Sequence, residues 1–164
     1  MNNKQPIAYV ICGFIGAGKT TFARKLEKDT GAIRITKDEW IIKIFGNQIT
    51  ADNRFEEYDK NITELATEFA FKILKANKDV IIDEGFWVKS QRDDIKKKIV
   101  NLGAKPIFYY VECPIEKMRK RVVDRSKNPP EDSFEISGEM FDGYLKYWQA
   151  PEESEDVIVI QSSE

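Results

Sequence analysis

The chain has 164 residues, with 28 Asp and Glu against 26 Lys and Arg, a formal net charge of −2 and no histidine. This length fits one domain with a sizeable core, residues 1–164, and the balanced charge leaves no basic field to hold duplex nucleic acid, although a short nucleic-acid end stays admissible. The missing histidine excludes histidine-based general catalysis, serine triads and histidine metal sites, so acid–base work falls to carboxylates, lysine or tyrosine.

Residues 1–5 are polar, and no apolar run approaches the length that spans a bilayer. Ile7–Cys12 reads as a buried strand. It runs at once into Gly13-Phe14-Ile15-Gly16-Ala17-Gly18-Lys19-Thr20, which matches the P-loop (Walker A) pattern GxxxxGK[ST]. Glycines let such a loop curl so that its N–H groups point at phosphate oxygens, with Lys19 reaching the β/γ phosphates and Thr20 ligating magnesium. Residues 13–21, ending in Thr21, are therefore the expected nucleotide cradle. A helix follows over residues 20–28, with Phe22, Ala23 and Leu26 on one face and Gly31 closing it.

Ala32 to Ile35 reads as a second strand leading into Thr36-Lys37-Asp38-Glu39-Trp40. A longer helix is predicted over residues 55–76 from the spacing of Ile62, Leu65, Ala66, Phe69, Ile73 and Leu74. Val80-Ile81-Ile82 forms a third strand ending in Asp83-Glu84-Gly85. Ser90 with Asp93 reads as the cap of the next helix, which buries Ile95, Ile99 and Leu102 and stops at Gly103. Residues 106–111 make a fourth strand, and Pro114 opens a helix that turns Ile115, Met118 and Val122 inward until Pro129-Pro130 breaks it. A last helix over residues 137–149 carries Phe141, Tyr144 and Trp148 as a core stripe, and Val157 to Ile160 supplies a fifth strand. Strands alternating with helices imply a parallel α/β sandwich with helices on both faces. Cys12 and Cys113, each ending an apolar run, read as free core thiols, in keeping with a reduced, cytoplasmic protein that has no membrane partner.

Ligands of an open parallel sheet collect beyond the carboxyl ends of its strands. That rule selects Asp38, Asp83 and Glu84 beside the P-loop. Asp83 suits a magnesium-holding acid, with a turn cap as the structural alternative. Asp38 suits a base for an attacking hydroxyl, and the same position serves to cap the following helix. Arg121 and Arg125, one helical turn apart in a cation-rich segment, are placed to grip transferring phosphate from a lid over about residues 119–136. A solvated charged face is the plainer reading of that run. Trp87 and Arg92 stand as candidates for the acceptor pocket, or as packing and a salt bridge.

The P-loop, the Asp-Glu-Trp stretch with Phe45-Gly46 after it, the Ile-Ile-Asp strand, Gln91-Arg92 and the Arg121/Arg125 pair together resemble the P-loop kinases labelled AAA-type predicted kinases. That group is similar to phage-type polynucleotide 5′-hydroxyl kinase, zeta toxins, chloramphenicol phosphotransferase and gluconate kinase. The resemblance covers nearly the whole chain. It implies a three-layer P-loop fold with a five-stranded parallel sheet in the order 2-3-1-4-5, use of ATP with Mg2+, Asp38 as base, and lid arginines at Arg121 and Arg125. Many relatives carry Asp-x-x-Arg where this chain has Asp38-Glu39-Trp40-Ile41, and Ile41 makes no ionic contact with an acceptor phosphate or carboxylate. The expected activity is transfer of the γ-phosphoryl group of ATP to a hydroxyl of a small molecule, with Ile41 favouring a neutral or cationic one over a phosphorylated one. A nucleotide or polynucleotide 5′-end kinase is the enzymatic alternative, and an ATP-binding switch or interaction module is the non-catalytic one.

Overall fold

The structure is a computed structural model that describes residues 4–162; residues 1–3 of the polar amino-terminal stretch and residues 163–164 lie outside the described residues. Strands β1 (Ile7–Cys12), β2 (Ile33–Thr36), β3 (Val80–Gly85), β4 (Lys105–Glu112) and β5 (Val157–Gln161) form one sheet in the order β2-β3-β1-β4-β5. Every neighbouring pair is parallel. The implied topology is therefore the observed one.

The period of two in β1 decides what each face of the sheet contacts. Ala8, Val10 and Cys12 enter one cluster with Ala66, Ala70 and Leu74 of α3 (Phe55–Lys75) and Ile95 and Ile99 of α4 (Lys89–Asn101). Ile11 enters the opposite cluster with Ala23 and Leu26 of α1 (Lys19–Thr30), Met118 and Val122 of α5 (Ile115–Lys127) and Phe141 of α6 (Gly138–Leu145). Helix α2 (Lys37–Phe45) leaves the end of β2 and buries Ile41 and Ile42. Each fully buried Ile or Leu contributes roughly 1.5–3 kcal/mol, so the two clusters hold the helices to the sheet and fix where its strand ends point.

Two expectations shift. Helix α4 begins at Lys89, with Gln91 Oε1 accepting from the Val88 N–H at 3.3 Å, so Ser90 sits inside the first turn instead of capping it. Helix α6 stops at Leu145, so Trp148 follows the helix instead of extending its face. Among the described residues, no helix is long and apolar enough to cross a membrane.

Candidate active site

The carboxyl ends of β1, β2 and β3 open into a cavity of about 1310 Å³. At its floor, the Gly13 N–H donates to the Gly85 carbonyl at 3.0 Å, tying the loop after β1 to the end of β3. Phe14 then turns inward. It is 1% exposed, and its ring meets Trp87, Phe141 and Trp148 at centroid distances of 5.0, 5.1 and 5.6 Å. The loop is thus pinned from beneath by an aromatic cluster, and the side chains of Phe14 and Ala17 belong to the core, leaving only their backbone to a ligand.

Gly16 packs against α5 so closely that a Cβ there would stand 2.7 Å from the Met118 carbonyl oxygen. The main-chain N–H groups of Gly16, Gly18, Lys19, Thr20 and Thr21 find no acceptor among the described residues. Such a ring of open donors at a helix N-terminus fits a polyphosphate. Lys19 Nζ lies over the loop, donating to the Phe14 carbonyl at 3.0 Å. Burial lowers its pKa, and the carboxylates of Asp83 and Asp38 oppose that fall.

Asp83, on β3, is 3% exposed and accepts from Thr36 Oγ1 at 3.2 Å. Burial raises its pKa, against the pull of Lys19 and of the Thr20 and Thr36 hydroxyls. Thr20 and Asp83 are hard oxygen donors beside the phosphate cradle, the donor type that suits Mg2+ completed by phosphates and water.

Asp38 lies in the first turn of α2, and Glu84 on β3 lines the same cavity. Neither carboxylate accepts a hydrogen bond from any described residue. Burial pushes the Asp38 pKa up to about 6; Lys37 and Lys19 pull it down, while Asp83 and Asp59 push it further up. Burial likewise pushes Glu84 up to about 7, opposed by Lys37 and reinforced by Asp59 and Asp38. Lys37 itself donates to Asp59 Oδ1 at 2.8 Å and Thr63 Oγ1 at 2.9 Å. Burial works against its ammonium, but the surrounding Asp38, Glu84 and Asp59 outweigh that and raise its pKa. A carboxylate near neutrality, without a donor and open to a cavity, can take a proton from a hydroxyl.

The two arginines of α5 divide. Arg121 Nη1 donates to the Gly16 carbonyl at 3.3 Å and Ser162 Oγ at 2.8 Å, on the nucleotide side of the loop. Arg125 lines the cavity, feels Asp38 and Asp132, and its buried Nε has no hydrogen-bond partner among the described residues. Across the mouth, Arg24 of α1 bridges Glu39 of α2 at 2.9 Å and Asp132 of the segment after α5.

Of its two readings, Arg92 matches the salt bridge and not the acceptor pocket. It is 2% exposed, lies outside the cavity lining, and holds Glu155 and the carbonyls of Phe86 and Gln149. Its guanidinium spends its donors on the segment behind β3. Trp87 and Glu84 do line the cavity, together with Tyr144, which helical spacing alone had placed in the core. Lys37 and Asp59 carried no local motif, and only the packing of α2 on α3 brings them to the site.

The sequence model of the AAA domain family matches residues 9–151. The chain belongs to the AAA domain family. This AAA domain is 29% identical over 121 residues to a shikimate kinase of Caldicellulosiruptor bescii, covering 73% of this chain and 66% of that one. The chain thus spans just under two thirds of the length of that relative. Among solved structures, a Chloroflexus aurantiacus protein aligns with a TM-score of 0.77 at 13% identity, covering 98% of this AAA domain and 87% of that chain. The Pnkp1/Rnl/Hen1 RNA repair complex contains a chain that aligns with a TM-score of 0.68 at 23% identity, covering 89% of this chain and 45% of that one. At those identities the two structures establish the shared P-loop fold.

Proposed function

We infer that this AAA domain is an ATP-dependent kinase that transfers the γ-phosphoryl group to a hydroxyl of a small molecule. One observation carries the reading: a single cavity joins the open amide ring of the P-loop to the donor-free carboxylate of Asp38. The sequence relationship to a shikimate kinase points the same way. Residues 1–164 act as one kinase domain with a lid over about residues 119–136, and the buried free thiols of Cys12 and Cys113 suit a reducing cytoplasm.

The loop amides and Lys19 hold the β and γ phosphates. Thr20 and Asp83 would hold Mg2+, which when bound neutralises charge between those phosphates. Asp38 accepts the proton of the acceptor hydroxyl as its oxygen bonds to the γ phosphorus. The bond from that phosphorus to the β–γ bridging oxygen breaks, and ADP leaves with the bond's electron pair. Arg125, which lines the cavity, brings its guanidinium charge to the transferring group, and Arg121 orders the nucleotide side of the loop. Most of the acceleration comes from this positioning and charge neutralisation.

Asp38→Asn tests the assignment. Turnover should fall by a factor of roughly 100 or more, the usual contribution of a general base, while ATP affinity stays near that of the native chain. Equal losses in both would remove Asp38 from the acceptor side. ATP binding with no phosphate transfer to any hydroxyl compound would instead support the switch reading.

A further inference from the structure

The acceptor end of the cavity is walled by α2, α3, the end of β3, the loop after it and α6. From those elements the lining carboxylates are Asp38, Glu39, Glu56, Asp59, Asp83 and Glu84, and Lys37 is the one lining cation among the described residues. Glu39 is held by Arg24 and Arg34 at 2.9 Å each, and Asp83 faces the magnesium position. Lys37 bonds to Asp59 and also stands in the fields of Asp38 and Glu84. One ammonium thus serves three carboxylates, Glu56 adds a fourth, and the wall keeps an excess of negative charge. The remaining lining cations, Lys19, Arg24, Lys25, Arg121 and Arg125, come from α1 and α5.

Two further observations concern the same wall. Trp87 and Tyr144 stand with ring centroids 5.7 Å apart, both on the cavity, and the Tyr144 hydroxyl lies in the field of Asp59 and Glu56. Aromatic faces beside carboxylates attract an organic cation. Ile41, three residues after Asp38, is fully buried and away from the cavity, so it brings no charge to this wall. An anionic acceptor would meet net repulsion at this wall, whereas an ammonium group would supply the hydrogen-bond donor that Glu84 lacks.

We propose that the acceptor is a hydroxyl compound that also carries an ammonium group, with its hydroxyl at Asp38 and its cation between Glu84, Glu56 and the Trp87–Tyr144 pair. This rests on the kinase reading above. The wall rejects phosphorylated and carboxylated acceptors, including a nucleic-acid end.

The test uses matched trios: glucosamine, glucose and glucuronate; and 3-amino-1,2-propanediol, glycerol and glycerate. Their binding to the full chain loaded with magnesium and a non-hydrolysable ATP analogue is followed by calorimetry. In at least one trio the amine should bind roughly tenfold or more tightly than the neutral member, the scale of one charge-assisted hydrogen bond, and the carboxylate should bind weakest. Glu84→Gln should bring that ratio close to one. Glu56→Gln, at an exposed position, should lower it without loss of folding. No preference for the amine in either trio, including no binding by any member, or a ratio unmoved by both variants, overturns the proposal. Transfer of labelled phosphate from ATP is scored separately. Amine binding without transfer would count against the kinase reading alone, and transfer favouring the neutral or anionic members would count against the amine assignment alone.

Discussion

Arg92 and Glu155, 63 residues apart, form a two-pronged ion pair, Nε to Oε2 at 2.6 Å and Nη2 to Oε1 at 2.8 Å. Both side chains are buried, at 2% and 8% exposure. The remaining arginine nitrogen donates to the Phe86 and Gln149 carbonyls at 3.0 Å each. Phe86 has φ 49, a left-handed conformation uncommon for an aromatic residue, and it comes two residues after Glu84. The pair therefore holds the turn that aims the end of β3 into the cavity.

Removing one partner of a buried pair strands the other charge, so Arg92→Ala or Glu155→Gln should each cost roughly 3–5 kcal/mol in denaturant unfolding. Replacing both with apolar residues of similar volume should cost less than either single change. Arg92 holds Glu155 below the usual carboxylate range, so the native state releases its proton more readily than the unfolded chain. This contribution is complete above the unfolded glutamate pKa of about 4.3 and is lost as pH falls through the lower native value. The stability gap between the native chain and Glu155→Gln should shrink as acid is added. A gap that grows with acid, or a pair of single variants as stable as the native chain, would contradict this account.

Lys37 and Asp38 give a prediction about pH and rate. Asp38 works as a base only when ionised, and its pKa is raised to about 6, so kcat/KM for the acceptor should fall as pH drops below that value. Lys37 is the foremost influence holding that pKa down. Lys37→Met should therefore move the acidic limb to higher pH, besides leaving Asp59 without its cation. A limb that stays in place or moves to lower pH would show that Asp38 is not the titrating base.

What the sequence made legible was local. The P-loop is one continuous string, and Asp83 and Asp38 follow runs whose β-branched residues announce strands. The wall facing Asp38 was not legible, because Lys37 meets Asp59 through the packing of α2 on α3, 22 residues apart in the chain. The choice between acceptor pocket and salt bridge at Arg92 stayed open for the same reason, since the Glu155 that pairs with it lies on a distant segment. Tyr144 shares a helical face with Phe141, yet that helix ends one residue later at Leu145, and Tyr144 lies at the cavity edge of the packed face. Periodicity locates a face but not its margin.

Gly16 and Gly31 separate backbone strain from crowding. Both have positive φ, 79 and 70, so alanine at either position carries the left-handed penalty of roughly 1–2 kcal/mol. At Gly31, the C-cap of α1, an added Cβ meets nothing within 4 Å, and the cost should end there. At Gly16 it would stand 2.7 Å from the Met118 carbonyl oxygen and 2.9 Å from Val122 Cγ2, contacts that only a displaced loop or a displaced α5 relieves. Displacement in either direction spoils the amide ring and moves Arg121, whose Nη1 donates to the Gly16 carbonyl. Gly16→Ala should lower the midpoint of thermal unfolding further than Gly31→Ala and weaken ATP binding by a factor of roughly ten or more, the loss expected from about one charge-assisted contact. Gly31→Ala should bind ATP as the native chain does. Equal stability and equal ATP affinity in the two variants would mean that α5 does not brace the phosphate loop.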